Sequence, residues 1–188
     1  MDLPRDDASA LHLLLANLFL READADLLAQ LAKPDIADVL ELLEPGSRAW
    51  LQDTTWDEPA LDELASEYAR LFLLPGGVSP YAVAWMDGEE GNIRARLGDE
   101  IGSVMEALRV RPAEMGLGNV PSDHIGMLLA LTAVALQTEE APAGGGLVGR
   151  IHDLMRAWAP AFADGLHEKA DTPLYRAAAR LLQQLFAD

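Results

Sequence analysis

Leu11, Leu14, Leu15 and Leu18 recur at three- and four-residue intervals behind Asp6, Asp7 and Ser9, each able to cap a helix. The pattern predicts a first helix running to about Arg21. Shorter helical patterns follow over residues 25–32 and 35–43, the second introduced by Pro34 and stopped by Pro45-Gly46. Punctuation is sharpest in the next element, where Asp57 stands before Pro59 and where Leu61, Leu64, Tyr68, Leu71 and Phe72 share one face until Pro75-Gly76-Gly77 ends it. Over residues 74–87 the periodicity gives way to Pro, Gly and isolated aromatics, which predicts an ordered loop rather than a strand.

Helical spacing returns over residues 92–108, although Gly98 and Gly102 each weaken it by about 1 kcal/mol relative to Ala. Residues 109–121 hold Pro112, Gly116, Gly118 and Pro121 and read as a hinge, where an exchanged dimer can form as an alternative to the monomer. Ser122 then reads as the cap of a helix over 123–137 with Ile125, Leu128, Leu129, Thr132 and Leu136 inward, and residues 141–146 read as a break. Leu147, Ile151, Leu154, Met155 and Trp158 mark another helix. Thr172-Pro173 opens a last one, with Leu174, Ala178, Leu181, Leu182 and Leu185 on one face. No segment alternates with period two and no repeat recurs, so the expected fold is all-α, one irregular helical bundle over residues 1–188.

Charge narrows the partners. Fourteen Lys and Arg against 31 Asp and Glu give a net charge of -17, a field that repels phosphate backbones and excludes nucleic acid as the natural partner. Such a surface either attracts a basic segment or serves solubility. The absence of cysteine removes disulfides, thiolate metal sites and a catalytic thiol, in keeping with a reducing compartment. The start, Met1-Asp2-Leu3-Pro4-Arg5-Asp6-Asp7, is acidic where a secretory signal is basic. The longest apolar stretch, residues 125–136, is roughly half the ~20 residues that span a bilayer, so no membrane span is expected and the chain reads as cytoplasmic.

Enzyme signatures are weak. Ser122-Asp123-His124 has the residue types of a hydrolase triad, but neighbours on one helical turn point apart and cannot relay a proton. His12, His124, His152 and His167 show no pairing at helical spacing, so no metal site is expected. Gly144, Gly146 and Gly149 match GxGxxG without a preceding strand, and no Walker lysine is present, so no cofactor is expected.

Two segments carry more than a bundle requires. Residues 67–76 read Glu-Tyr-Ala-Arg-Leu-Phe-Leu-Leu-Pro-Gly and run into a loop holding Pro80, Tyr81 and Trp85, while Pro121-Ser122-Asp123-His124 precedes an apolar helix. Together they resemble the TorD/DmsD/NarJ family of redox-enzyme maturation chaperones, whose signature is E-Y-x-x-L-F-x-x-P-G followed by P-x-D-H. Residues 158–162 and 168–176 resemble the C-terminal helical pair of that family, whereas the first sixty positions agree only in being helical.

The resemblance implies an all-α chaperone, not an enzyme, that binds the twin-arginine signal peptide or N-terminal segment of a molybdopterin oxidoreductase and assists cofactor insertion before export. Carried over by position, the peptide groove involves Tyr68, Leu71, Phe72, Pro75, Trp85, Pro121, Asp123 and His124. A guanine nucleotide or molybdopterin precursor as ligand has no support in the residues. Ser122 stands where an acid is common in the family, and Gly76-Gly77 replaces bulkier residues of some members, so peptide specificity does not transfer. The spacing of Leu71 and Phe72 with Leu61 and Leu64 places them equally well in a core. Two alternatives remain at this point: a NarJ-like assembly factor for a nitrate reductase subunit, and a small helical hydrolase using His124 and Asp123.

Overall fold

The computed structural model describes residues 4–138 and 146–187. Ten α-helices fill it: α1 Arg5–Leu20, α2 Ala25–Leu31, α3 Pro34–Leu43, α4 Ser47–Asp53, α5 Glu58–Tyr68, α6 Glu90–Leu108, α7 Ile125–Thr138, α8 Gly146–Arg156, α9 Ala159–Lys169 and α10 Pro173–Leu185. The described residues hold no strand, only one isolated bridge between Tyr81 and His124, so the all-α expectation is met. The break expected over 141–146 lies outside the described residues except for Gly146, as does Gly144 of the glycine pattern.

Most boundaries follow from local chemistry. Asp24 caps α2 by accepting the Leu27 amide at 2.8 Å, Asp57 caps α5 through the Ala60 amide at 3.2 Å, and Pro34, Pro59 and Pro173 occupy first turns, where a missing N–H is harmless. Besides Trp158, which lies in the turn after α8 rather than on that helix, and the enclosure of α7 described below, three features depart from the sequence reading. α4 was not expected, since its apolar residues Ala49, Trp50 and Leu51 are consecutive and show no helical spacing. Its N-terminus is held by Glu41, whose carboxylate accepts the Gly46 and Arg48 amides at 3.0 Å and is kept below the usual carboxylate range by them.

The second departure is a π-turn, Ala69–Leu73, where α5 was expected to continue as regular helix; the Leu74 amide donates to the Ala69 carbonyl five residues back. The third is the start of α7. Ser122 does not cap it and Asp123 is not in its first turn; His124 occupies the capping position, its Nδ1 accepting the Gly126 amide at 3.0 Å.

The chain divides into two compact units, one formed by residues 1–20 and 80–159, the other by 21–79 and 160–188. The 109–121 segment read as a hinge lies inside the first unit, between α6 and α7, and contains a 3-10 turn, Pro112–Met115.

The first unit is built around α7. Residues 125–133 are all buried, so the helix is enclosed on every side rather than along the single stripe its spacing suggested. α1 lies along it, with α6 and α8 against other faces. Gly126 makes the α1 approach possible: a Cβ there would stand 2.5 Å from Leu20 Cγ and 3.2 Å from the Ala16 carbonyl oxygen. Ser9 fastens the pair by donating to the Ala133 carbonyl at 3.0 Å.

In the second unit α10 packs on α3 and α4. Its core gathers Phe72 against Tyr68, Phe162 and Tyr175 with ring centroids 5.1, 6.4 and 5.6 Å apart. Beside this core Glu44, at the end of α3, accepts hydrogen bonds from Nε of Arg176 and of Arg180, both at 2.9 Å.

Candidate functional site

In the first unit the loop after Pro80 sits on the turn before α7. The Ala82 amide donates to the Asp123 carbonyl at 3.0 Å, the Ile125 amide donates to the Pro80 carbonyl at 2.9 Å, and the Tyr81 ring meets the His124 ring edge-on at 5.1 Å. These bonds fix the 3-10 turn Ala82–Ala84 and, directly after it, the half-buried Trp85. Pro121 is exposed, and its carbonyl accepts the His124 amide at 3.1 Å. Trp85, distant in sequence, thus joins the neighbours Pro121, Asp123 and His124 in one local arrangement.

The acid at its centre is under-satisfied. Asp123 is 2% exposed; Arg94 stands 3.8 Å from Oδ1, and Oδ2 has no hydrogen-bond partner among the described residues. A buried carboxylate with an empty oxygen carries a desolvation cost that a further donor would relieve. Arg94 is itself shared, donating to Glu90 at 3.0 Å and lying 6.0 Å from the Tyr81 ring centre. His124 is buried, which pushes its pKa down to about 4, so the ring is neutral at physiological pH. With Nδ1 accepting the Gly126 amide, the proton resides on Nε2, and the Asp–His hydrogen bond a hydrolase would need through Nδ1 is not made.

The other four predicted positions belong to the second unit. Tyr68, Leu71 and Phe72 are buried in its core, and Pro75 is exposed. The motif residues around them tie the unit together. Glu67 Oε1 accepts the amides of Asp171 and Thr172; Arg70 donates to the Lys169 carbonyl at 3.0 Å and to Asp171; Lys169 Nζ reaches the carbonyls of Gly76 and Gly77 at 2.8 and 3.1 Å. Gly76 has a left-handed φ of 84°, and a Cβ on Gly77 would collide with the carbonyl oxygens of Leu71 and Arg70, so the two glycines are required by the turn itself.

Sequence reasoning passed over Arg94, which carries no motif and reaches Asp123 from α6. It also passed over a histidine pair. His12 on α1 and His152 on α8 stack with centroids 5.5 Å apart and Nε2 atoms at 3.3 Å, a contact between residues 140 positions apart that local spacing cannot show. Burial lowers the pKa of both, that of His152 to about 4. Among the described residues no group of three or more His, Cys, Asp or Glu is placed to hold a metal.

The all-α scaffold thus carries a half-buried aromatic and an under-satisfied buried acid in one local arrangement. Residues 22–164 match the nitrate reductase delta subunit family, and the chain belongs to this TorD/NarJ family of redox-enzyme maturation chaperones. It is similar to Chaperone protein TorD of Escherichia coli O81 (strain ED1a), 30% identical over 187 residues, an alignment covering 91% of this chain and 88% of that one. No solved structure matches it. The family and the relative make the protein a chaperone rather than an enzyme. Among the described residues no helix is long and apolar enough to cross a membrane.

Proposed function

We propose that the protein is a cytoplasmic chaperone that binds the twin-arginine signal peptide, or an equivalent N-terminal segment, of a molybdopterin-containing oxidoreductase and retains it until cofactor insertion is complete. The observation that carries this reading is Asp123. Its side chain is sequestered with one oxygen unpartnered, beside Tyr81 and the turn that sets Trp85. A basic start followed by an apolar stretch complements that arrangement: a guanidinium supplies donors to the carboxylate, and the apolar residues bury against aromatic surface at ~25 cal/mol per Å². The net charge of -17 favours encounter with the same basic end. Nothing in the reading requires a resident cofactor.

Calorimetric titration of the full chain with twin-arginine signal peptides from enzymes encoded beside it tests the reading. Saturable binding is expected, weakened about tenfold, or 1.4 kcal/mol, by Asp123→Asn or Trp85→Ala. Absence of binding by every such peptide would refute it. A second reading has support in the family description: the client is a nitrate reductase subunit whose N-terminus lacks a cleaved twin-arginine signal. Tighter binding of such an N-terminal peptide than of any twin-arginine signal would decide for it.

A further inference from the structure

The second unit contains a pocket of about 400 Å³ between α4, α5 and the turn before α10. Two tryptophans form part of its wall. Trp50 and Trp56 meet edge to face at 4.9 Å, both half-buried, and the Trp56 Nε1–H is already committed to the Leu51 carbonyl at 3.2 Å, so it is ring surface that Trp56 offers. Among the charged residues of the lining acids prevail, with Glu63, Glu67 and Asp171 against Arg70, and the rest is small or apolar, such as Ala60 and Leu64.

Arg70 is spoken for, with Nη2 on Asp171 and Nη1 on the Lys169 carbonyl. Glu67 is 6% exposed, and while Oε1 takes two backbone amides, Oε2 has no hydrogen-bond partner among the described residues; the Thr172 hydroxyl oxygen, also lining the pocket, lacks one too. The pocket therefore combines aromatic faces, surplus negative charge and buried acceptors in need of donors. An anionic ligand is repelled by this lining and a neutral apolar one leaves Glu67 unsatisfied. A planar cation with several N–H groups answers all three features, stacking on indole while donating to carboxylates.

We propose that this pocket is a guanidinium site that takes an arginine side chain of a partner polypeptide. The ligand class stands on the pocket alone; naming the partner as a client's basic N-terminal segment rests on the function proposed above. The probe is N-acetyl-Arg-Arg-amide titrated calorimetrically into the full chain, with the dilysine and dicitrulline analogues as controls. Binding of the arginine form is expected, at least tenfold weaker for both analogues, and lowered about tenfold by Glu63→Gln or Trp56→Leu; Glu63 is exposed, so the fold tolerates its change.

Equal binding of the three dipeptides, or an unaltered Kd in both variants, overturns the proposal. The two hypotheses fail separately. If complete signal peptides bind with a Kd that Glu63→Gln and Trp56→Leu leave unchanged, the pocket is lost and the chaperone reading stands. If the diarginine probe binds as expected while no signal peptide does, the pocket stands and the client identity falls.

Discussion

The Thr172 amide donates to Glu67 Oε1 at 2.9 Å, linking residues 105 positions apart, and the Asp171 amide donates to the same oxygen at 2.6 Å. A carboxylate on α5 thus caps α10, supplying both hydrogen-bond acceptors and negative charge to a helix N-terminus whose own Thr172 hydroxyl makes no cap. The first letter of the E-Y-x-x-L-F signature has a structural duty in this chain. Glu67→Ala is expected to lower unfolding free energy by about 2–3 kcal/mol, and Glu67→Gln by less because an acceptor oxygen survives. Urea denaturation measures both; a loss below about 0.5 kcal/mol for the alanine variant contradicts the capping role.

His124 makes stability depend on pH with a definite sign. Burial holds its folded pKa near 4, below the unfolded value of about 6.5, so between those values the unfolded chain binds more protons and stability falls as pH drops. Asn at this position can keep the cap on the Gly126 amide without titrating. Between pH 7 and pH 5 the native chain should lose roughly 1–2 kcal/mol more than His124→Asn does. Identical pH slopes in the two proteins would show that the imidazole is not held neutral.

Gly126 sets the distance between α1 and α7. A methyl group there meets the branch carbon of Leu20 and the Ala16 carbonyl, so relief requires moving the α1 backbone and not merely a flexible side-chain tip. Gly126→Ala should cost about 1–3 kcal/mol despite the better helix propensity of Ala. A thermal midpoint at or above that of the native chain would mean the contact yields easily.

Asp38 on α3 and Glu44 just past its end separate half-buried from exposed ion pairing. Glu44 receives two arginines beside the core, whereas Asp38 pairs with Arg48 in the open. Glu44→Ala is expected to cost about 1.5–3 kcal/mol, and Asp38→Ala within about 0.5 kcal/mol. Equal losses in paired denaturation curves would contradict the distinction.

Association with a basic peptide should also sense the overall charge. Raising ionic strength from 50 to 500 mM is expected to slow association in stopped-flow measurements by about tenfold while changing dissociation less. A salt-insensitive association rate would leave the acidity as a solubility feature alone.

Where neighbours in sequence determine neighbours in space, the fold was legible. Asp57 before Pro59, Pro34 at the head of α3 and Thr172-Pro173 at the head of α10 each marked a real boundary, because capping depends on residues only a few positions apart. α4 escaped notice because Ala49, Trp50 and Leu51 are consecutive rather than spaced at helical intervals, and the enclosure of α7 escaped because an apolar helix does not reveal how many neighbours it has. Around the candidate site, Tyr81 and Trp85 could be connected with Asp123 and His124 only through resemblance. Arg94, and the His12–His152 pair, depend on helix packing across long separations and left no local trace.

The interleaving of the two units governs how the chain must be finished. α1 emerges from the ribosome long before α7, against which its apolar face is buried, and the second unit has to wait for α9 and α10. The first unit can close once α8 has emerged, whereas the second cannot complete its core before α10 does. Closure around α1 is thereby deferred until α7 and α8 are made, and until then the leucines of α1 remain adhesive enough to need shelter of their own.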